Sequence, residues 1–205
     1  MLDLIEKGGV ILILIFVLAL VAAVLIIERL LYFRRIRTDE EKLLGRLKSA
    51  LEKKHYDEAL NICESSPSPL ANLMQAGIEY RGHEERDIKD VIMDAANLEV
   101  PRMERFLSAI GTIAHIAPLL GLLGTVTGNI QAFGVLGKFG SVGDPALLAK
   151  GIAEALITTA AGIVVSIPTI IFHNSLVSKV NHLIIRLENR ANELVLLLGK
   201  KGERT

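Results

Sequence analysis

Cysteine and aromatic residues are scarce in this chain of 205 residues. It has one cysteine, Cys63, no tryptophan, and only 4% aromatic residues in all. A lone cysteine excludes a small secreted domain held together by disulfides. The formal net charge is zero and no basic stripe interleaves with aromatic residues, which argues against binding of nucleic acid.

Sequence motifs of enzymes are also missing. We find no GxGxxG or phosphate-binding loop, no HExxH, and no histidine or cysteine cluster with metal-ligand spacing. The sequence therefore predicts no enzyme activity, no cofactor and no metal site. Hydrophobic residues make up 51% of the chain, which excludes intrinsic disorder by composition.

Charge is nearly absent from one long part of the chain. Residues 106–173 contain four formally charged residues, whereas residues 28–105 contain thirty. A soluble domain of this length would distribute its charges more evenly along the chain. The sequence therefore predicts an all-α membrane protein, built from apolar spans and charged helical regions.

Three segments are long and apolar enough to cross a bilayer. Residues 10–27 are an unbroken apolar run of 18 residues, which rises about 27 Å as a helix and nearly matches a hydrocarbon core of about 30 Å. We predict the second span over residues 106–136 and the third over residues 146–172. The intervening residues 137–145 carry three glycines and a proline, so they predict a short turn and an antiparallel hairpin.

Basic residues set the predicted orientation of the spans. Four arginines follow the first span, at positions 29, 34, 35 and 37, whereas Lys7 is the one basic side chain before it. The positive-inside rule therefore places residues 1–9 outside and residues 28–105 in the cytoplasm. The tail, residues 173–205, returns to the cytoplasm with six basic and three acidic residues. The arginines after the first span also argue against a cleaved signal peptide.

Both cytoplasmic regions are predicted to be helical. Leu43, Leu47 and Leu51 recur at helical spacing, and residues 65–69 interrupt the pattern. The tail carries an apolar seam at alternating spacings of four and three, interrupted at Arg190. The members of this seam are Leu176, Val180, Leu183, Leu187, Leu194 and Leu197. Two interpretations stay open for it, packing on the other cytoplasmic helices and a coiled coil between subunits.

Glu154 is the carboxylate inside the third span. A charged side chain in lipid is costly, so ionisable residues within spans face protein or water-filled cavities and usually serve a function. The alternative is a solvated ion pair with Lys150, one turn earlier, near the outer interface. The sequence favours the functional interpretation.

Small and hydroxyl-bearing residues line both helices of the predicted hairpin. Thr158 lies one turn beyond Glu154 and shares a stripe with three small residues: Gly151, Ala155 and Gly162. The second span has a similar face, with a GxxxG at 124–128 and Thr125. Counted from the turn, Thr125 lies at a depth similar to that of Thr158 and Thr159. Their hydroxyls could hold the waters that a proton needs; alternatively, each bonds a carbonyl one turn back and the small faces only pack.

Several other residues of the spans call for interpretation. Asn129 extends the face of the second span by one turn. For His115 we favour a neutral imidazole bonded to a neighbouring helix over a proton relay. Pro118 and Pro168 predict kinks, either hinges or tolerated bends. We expect Pro101 in the first turn of the second-span helix, which then extends into the cytoplasm.

Two segments of the predicted hairpin carry a specific sequence pattern: IAPLLGLLGTVTGNIQAF at 116–133 and GIAEALITTAAGIVVSIP at 151–168. Together they resemble the TolQ/ExbB/MotA proton-channel family. The order of spans and the chain length resemble the ExbB/TolQ branch, whereas the MotA branch resembles a four-span protein with a larger cytoplasmic insert. The resemblance covers nearly the whole chain.

The resemblance assigns polar pore positions to residues of this chain. They fall on Thr125 in GLLGT, and on Glu154 and Thr159 in GIAEALITT. Thr158 is added to them from its position on the helix. Asn129 stands where the resemblance leads us to expect an apolar residue, so we assign it, like His115, Pro118 and Pro168, a structural or a pore role.

The resemblance also implies a function and partners. It implies a multi-pass subunit of the bacterial inner membrane, with residues 1–9 and the turn in the periplasm. Copies of it form a homo-oligomeric ring, a pentamer, around an ExbD/TolR-type single-span protein in the central pore. Proton motive force then drives a TonB- or TolA-type energy transducer. The alternatives are a structural oligomeric scaffold, a flagellar-stator-like ion channel subunit, and a channel that conducts without any partner.

Overall fold

The computed structural model describes residues 2–66, 68–139 and 145–199. In chain order, these residues form six α-helices: α1 (Leu2–Glu52), α2 (Tyr56–Ser65), α3 (Pro69–Glu79), α4 (Glu85–Glu104), α5 (Leu107–Phe139) and α6 (Pro145–Gly199). No strand occurs within the described ranges. The predicted all-α class is confirmed.

Three stretches of the described helices are long and apolar enough to cross a membrane. They are Gly9–Ile36 in α1, Glu85–Gly134, which includes most of α5, and Leu148–Leu196 in α6. The first is the most apolar, with a mean hydropathy of 3.7. The three predicted spans are thereby confirmed in number and order.

The described residues fall into two compact units. The first unit takes the residues up to Glu28 together with Phe106–Leu176, and the second takes Arg29–Arg105 and the residues from Val177 onward. This partition follows the charge distribution of the sequence, because the first unit contains the nearly uncharged stretch, residues 106–173.

Large apolar side chains lie on the surface of the first unit. Val10 is 74% exposed, Val164 69% and Ile130 66%. In water, a surface of this kind would favour association. In a bilayer, lipid tails cover such side chains, and helices satisfy their own backbone groups. The surface of this unit therefore fits a membrane environment.

The second unit is a helical bundle with its own apolar core. Its most deeply buried side chains come from α1, α3, α4 and α6: Leu47, Leu70, Leu73, Ile78, Ile88, Ile92, Val180 and Leu194. The predicted interruption at residues 65–69 lies between α2 and α3. The Ser68 side chain accepts a hydrogen bond from the Ala71 N–H at 3.2 Å, and Pro69 occupies the first turn of α3. Both residues favour the start of a helix.

The apolar seam of the tail packs inside this second unit. Five of its members are buried: Leu176, which ends the first unit, and Val180, Leu183, Leu187 and Leu194 in the second. A Cβ added at Gly77 would lie 2.7 Å from Leu194 Cδ2 and 2.7 Å from Ile92 Cδ1, so α3 approaches both α4 and α6 closely. Of the two interpretations of the seam, the structure shows packing on other helices of the same chain.

Arg29 caps the end of helix α4. Its side chain is 2% exposed and donates to the carbonyl oxygens of Arg102 at 3.1 Å and Met103 at 3.4 Å. The last carbonyls of a helix lack partners within the helix, and a cation near them complements the helix dipole. An arginine that sets the predicted orientation therefore also stabilises the fold.

Two expectations about the second-span helix are wrong: that Pro101 lies in its first turn, and that this helix extends unbroken into the cytoplasm. Pro101 lies inside α4, near its C-terminal end, and not in the first turn of the spanning helix. Phe106 has a φ of 67° and separates α4 from α5, because a left-handed backbone conformation cannot continue an α-helix. At its other end α5 continues to Phe139, and the remaining residues of the predicted turn, 140–144, lie outside the described residues.

Cys63 provides a test of the core of the second unit. Burial, with a smaller contribution from the charges of Glu64 and Glu79, raises the pKa of the thiol from 9.0 to about 11. The thiolate is the reactive form. We therefore predict that at pH 8 the native thiol reacts with iodoacetamide about 100-fold more slowly than the same thiol in denatured chain. Mass spectrometry of Cys63 over time gives both rates, and equal rates would contradict the buried position.

Candidate functional site

Helices α5 and α6 lie in close antiparallel contact. A Cβ added at Gly128 would lie 2.6 Å from Ala155 Cβ, and one added at Gly162 would lie 2.5 Å from the carbonyl oxygen of Ala117. Residue numbers rise along α5 as they fall along α6, so the two helices run in opposite directions. The predicted small faces of the two spans therefore pack on each other.

The carbonyl oxygen of Gly121 lies at the centre of this contact. Thr159 Oγ1 donates to it at 2.8 Å. Thr158 Oγ1 lies 3.2 Å from it and donates at 2.7 Å to the carbonyl of Ala155 on its own helix. A Cβ at position 121 would lie 2.8 Å from the Thr158 carbonyl oxygen and 2.8 Å from Thr159 Cα, so a larger residue would separate the helices. Thr158 itself is only 2% exposed.

Ser166 satisfies a carbonyl that Pro118 leaves without its helical partner. Proline has no N–H, so the carbonyl four residues earlier, that of Ala114, loses its bond within α5. Ser166 Oγ donates to this carbonyl oxygen at 2.6 Å and is buried. Our reading of the sequence missed Ser166. A signal was available, because a proline in a span requires a polar donor from a neighbouring helix.

Both spanning helices continue through their prolines. Pro118 lies inside α5 and Pro168 inside α6, and neither ends its helix. Pro118 belongs to the contact between the helices, since its Cα would lie 3.3 Å from a Cβ added at Gly162. A hinge at either proline stays a prediction.

Three polar residues face one edge of the paired helices. Thr125 and Asn129 each follow a glycine of the contact, and Thr159 follows Thr158. One residue further along turns a helix by about 100°, and in antiparallel helices these turns lead to the same side of the contact. Thr125, Asn129 and Thr159 therefore form a common surface, which we call the polar edge.

The members of the polar edge differ in their hydrogen bonds. Thr125 Oγ1 donates to the Leu122 carbonyl at 2.7 Å, within its own helix. The side-chain oxygen of Asn129 is buried and has no hydrogen-bond partner, the one such atom found among the described residues. Buried polar atoms are nearly always paired, so this oxygen requires an explanation. It marks a place where a donor from outside the chain would be stabilising.

Glu154 turns away from the polar edge. It lies five residues before Thr159 on α6, which corresponds to about 140° around the helix, and its side chain is half-buried. The structure describes both Glu154 and Lys150, and the alternative ion pair between them is not formed. No residue in the described part of the chain bonds to the Glu154 carboxylate.

The expected hydrogen bond from His115 to a neighbouring helix is wrong. Its Nδ1 lies 2.6 Å from the carbonyl oxygen of Gly111, one turn earlier in the same helix, and not from a group on a neighbouring helix. A different histidine makes the contact between helices, since His173 Nε2 would lie 2.8 Å from a Cβ added at Gly111. Our reading of the sequence missed His173.

The chain is similar in sequence to known membrane transport proteins over half of its length or more. Residues 65–189 match the MotA/TolQ/ExbB proton channel family. The chain is 29% identical to a putative biopolymer transport protein ExbB homolog of Methanothermobacter thermautotrophicus, over 91% of this chain and 66% of that protein. It is 28% identical to the biopolymer transport protein ExbB of Neisseria meningitidis, over 96% of each chain. It is 34% identical to the Tol-Pal system protein TolQ of Haemophilus influenzae, over 53% of this chain and 47% of that protein.

Gly162 tests the close contact between α5 and α6. Gly162→Ala would place a methyl group 2.5 Å from a backbone oxygen of Ala117, which cannot rotate away as a side chain can. The helices must separate, so we predict a loss of about 1–3 kcal/mol in stability. Gly134→Ala is the matched control, because a Cβ there meets no atom within 4 Å. Thermal unfolding in detergent compares the two variants, and equal unfolding temperatures would contradict the contact.

Asn129 allows a second test that separates stability from activity. Asn129→Leu keeps the size of the side chain and removes the buried oxygen that lacks a partner. Leaving such an atom unpaired costs about 1–3 kcal/mol, so we predict that the isolated chain becomes more stable by up to this amount. Thermal unfolding of the chain without any partner protein measures the effect. A lower unfolding temperature would show that the oxygen is already paired in the free chain.

Proposed function

Because the chain belongs to the MotA/TolQ/ExbB proton channel family, we propose that it is the channel subunit of an ExbB/TolQ-type motor. It lies in the inner membrane and uses the proton motive force to drive an ExbD/TolR-type partner, which energises TonB- or Tol-dependent processes at the outer membrane. The observation that carries this proposal is the polar edge, which runs beside a close helix contact within an apolar unit.

The proposed arrangement follows the charges of the sequence. Residues 1–9 and the turn at 137–145 lie in the periplasm, and residues 28–105 and 173–205 in the cytoplasm. The membrane is crossed at residues 10–27, 106–136 and 146–172. Copies of the chain form a ring, a pentamer, and the single-span partner occupies its centre.

Protons move along the inner face of this ring. Thr125, Asn129 and Thr159 supply oxygen atoms that hold waters. The two hydroxyls already donate a hydrogen bond and can still accept one, and the Asn129 side-chain oxygen has no partner within the described residues. The membrane potential can supply energy for this work. One elementary charge moving across 100 mV yields about 2.3 kcal/mol, and the energies of several charges add up. Binding and release of protons shift the partner helix and so perform mechanical work.

Glu154 and Thr158 take different parts in this proposal. The Glu154 carboxylate has no bonding partner among the described residues of its own chain and turns away from the polar edge, which supports a role toward a neighbouring copy. Thr158 is buried, and its hydroxyl is already engaged within the contact. We therefore assign Glu154 to proton transfer and Thr158 to holding α5 and α6 together.

A structural scaffold is the second candidate function. It is favoured by one observation, which is that the hydroxyls of Thr158, Thr159 and Ser166 all bond carbonyls inside the contact. In a scaffold these hydroxyls serve packing alone. The two candidates differ in what happens when a hydroxyl of the polar edge is removed without loss of assembly.

Proton flux into liposomes tests the proposed function. The complex with its single-span partner is reconstituted, and the uptake of protons under an imposed potential is followed with a pH-sensitive dye. We predict that Glu154→Gln lowers flux about 100-fold or more, as expected for loss of a positioned proton-transfer group. Thr159→Val should lower it about fivefold, the effect of one hydrogen bond of roughly 1 kcal/mol.

Thr127→Val is the matched control for Thr159→Val alone, because Thr127 comes one residue before Gly128 and so lies on the side of the contact that Glu154 occupies. The Thr127 hydroxyl bonds the Leu123 and Gly124 carbonyls of its own helix at 3.0 and 3.1 Å, and the residue lies away from the polar edge. Its flux should equal that of the wild type. Native mass of each complex establishes that assembly is intact. Full flux in both Thr159→Val and Glu154→Gln complexes would favour the scaffold.

A further inference from the structure

A groove of about 180 Å³ opens in the second unit, between α1, α3 and α6. It lies where Arg190 interrupts the apolar seam of the tail, and Arg190 forms part of its wall. Its floor is apolar and consists of Leu44, Leu47, Leu51, Met74 and Leu194. Arg190 stands where the seam would place an apolar side chain, and the space beside it is not filled by this chain.

Gly45 forms one wall of this groove. This glycine lies inside helix α1, and its lack of a side chain leaves the surface of the helix low at this point. A Cβ added at Gly45 would meet no atom of this chain within 4 Å. The wall of the groove is therefore open at position 45.

The charged side chains at the rim of the groove determine which charge on an occupant is favourable. Lys48 lies at the rim and forms no ion pair with any described residue. Arg190 and Glu193 neutralise each other, with Nη1 2.7 Å from Oε2. The rim therefore has a net positive charge, which favours a carboxylate.

The volume of the groove limits the occupant to about one side chain. A cavity of about 150 Å³ lined by apolar residues holds a single benzene ring, and this groove is only slightly larger. The occupant that fits is one large apolar side chain with a carboxylate close beside it.

Leu98 of this chain is a large apolar side chain of this kind, and the carboxylate of Asp94 lies close beside it. It is 72% exposed, more than any other large apolar side chain in the described part of the second unit. On α4 it lies on the opposite side from the buried residues Ile92, Ala96 and Met103. Asp94 lies one turn earlier on the same exposed face and forms no ion pair within the described residues.

We propose that Leu98 of one copy of this chain inserts into the groove of a second copy, with Asp94 beside Lys48. The proposal rests on the ring of the proposed function, because a contact between two different surfaces of identical chains closes into a ring when its rotation allows. A side chain that enters a hole formed by residues of neighbouring helices is a common means of fixing the register of two helices. The open wall of the groove at Gly45 leaves room for α4 of the second copy.

Cross-linking between introduced cysteines tests the contact. Gly45→Cys places its new Cβ in open space, and Leu98→Cys changes an exposed residue, so both variants should fold. The native Cys63 is buried and its pKa is raised to about 11, so it contributes little reaction. A short bis-maleimide is added to the full complex in detergent, and products are separated by denaturing electrophoresis.

The mixture of chains identifies which surfaces meet. Complexes assembled from equal amounts of Gly45→Cys and Leu98→Cys chains should give a covalent dimer, whereas either variant alone should give none. The double variant should give a ladder of linked chains. Ile185→Cys, in place of Leu98→Cys, is the matched control, because Ile185 is also an exposed apolar residue of this unit, at 54%. Linking no stronger than with this control, in complexes of intact native mass, would overturn the proposal.

Charge reversal tests the choice of carboxylate. Lys48→Glu should lower the yield of the dimer linked between positions 45 and 98 about fivefold, the upper range for one exposed ion pair. Adding Asp94→Lys should restore the yield, and failure to restore it would overturn the assignment of Asp94.

Protection of position 45 identifies other occupants. If Gly45→Cys is shielded from maleimide only when the single-span partner is present, the partner occupies the groove and the contact between copies is wrong. Failure of the cross-link with proton flux unchanged would overturn this contact and leave the proposed function intact.

Discussion

The close approach of α5 and α6 governs the chemistry of the membrane unit. Lipid offers no hydrogen bonds, so each polar group in a span must find its partner on a neighbouring helix or its own. Because Gly121 and Gly162 have no side chains, hydroxyls of α6 reach carbonyls of α5, at 2.8 Å for Thr159 and 2.6 Å for Ser166. The contact thereby allows a proline in the middle of a span, since Ser166 bonds the carbonyl that Pro118 leaves unpaired.

The same contact separates polar groups that hold the helices together from polar groups that find no partner among the described residues of the chain. Thr158 and Ser166 are buried and bonded within the contact. Asn129 has a buried oxygen without a partner, and the Glu154 carboxylate bonds to no described residue. Polar groups without a partner lower the stability of an isolated chain. They gain hydrogen-bond partners from water, a second copy or another protein. This distinction supports a subunit that is completed by assembly.

Much of the fold and the outline of the site could be predicted from the sequence. Charge-free runs and the positions of turn residues indicate three spans and an all-α fold, and the small residues at helical spacing predict the paired faces. Side-chain partners could not be predicted, because they depend on rotation and depth of one helix against another. His115 illustrates this, since it bonds its own helix. The left-handed conformation of Phe106 likewise has no local signal, because a bulky residue rarely adopts it.

The most direct test of a motor subunit is whether wild-type conduction requires a second protein. The chain is purified alone and together with the proposed ExbD/TolR-type single-span partner, both samples are reconstituted at equal amounts, and proton uptake is measured at the same imposed potential. We predict that the two proteins copurify and that flux rises well above background only when both are present. Equal flux from the chain alone, or failure of the two proteins to copurify, would contradict it.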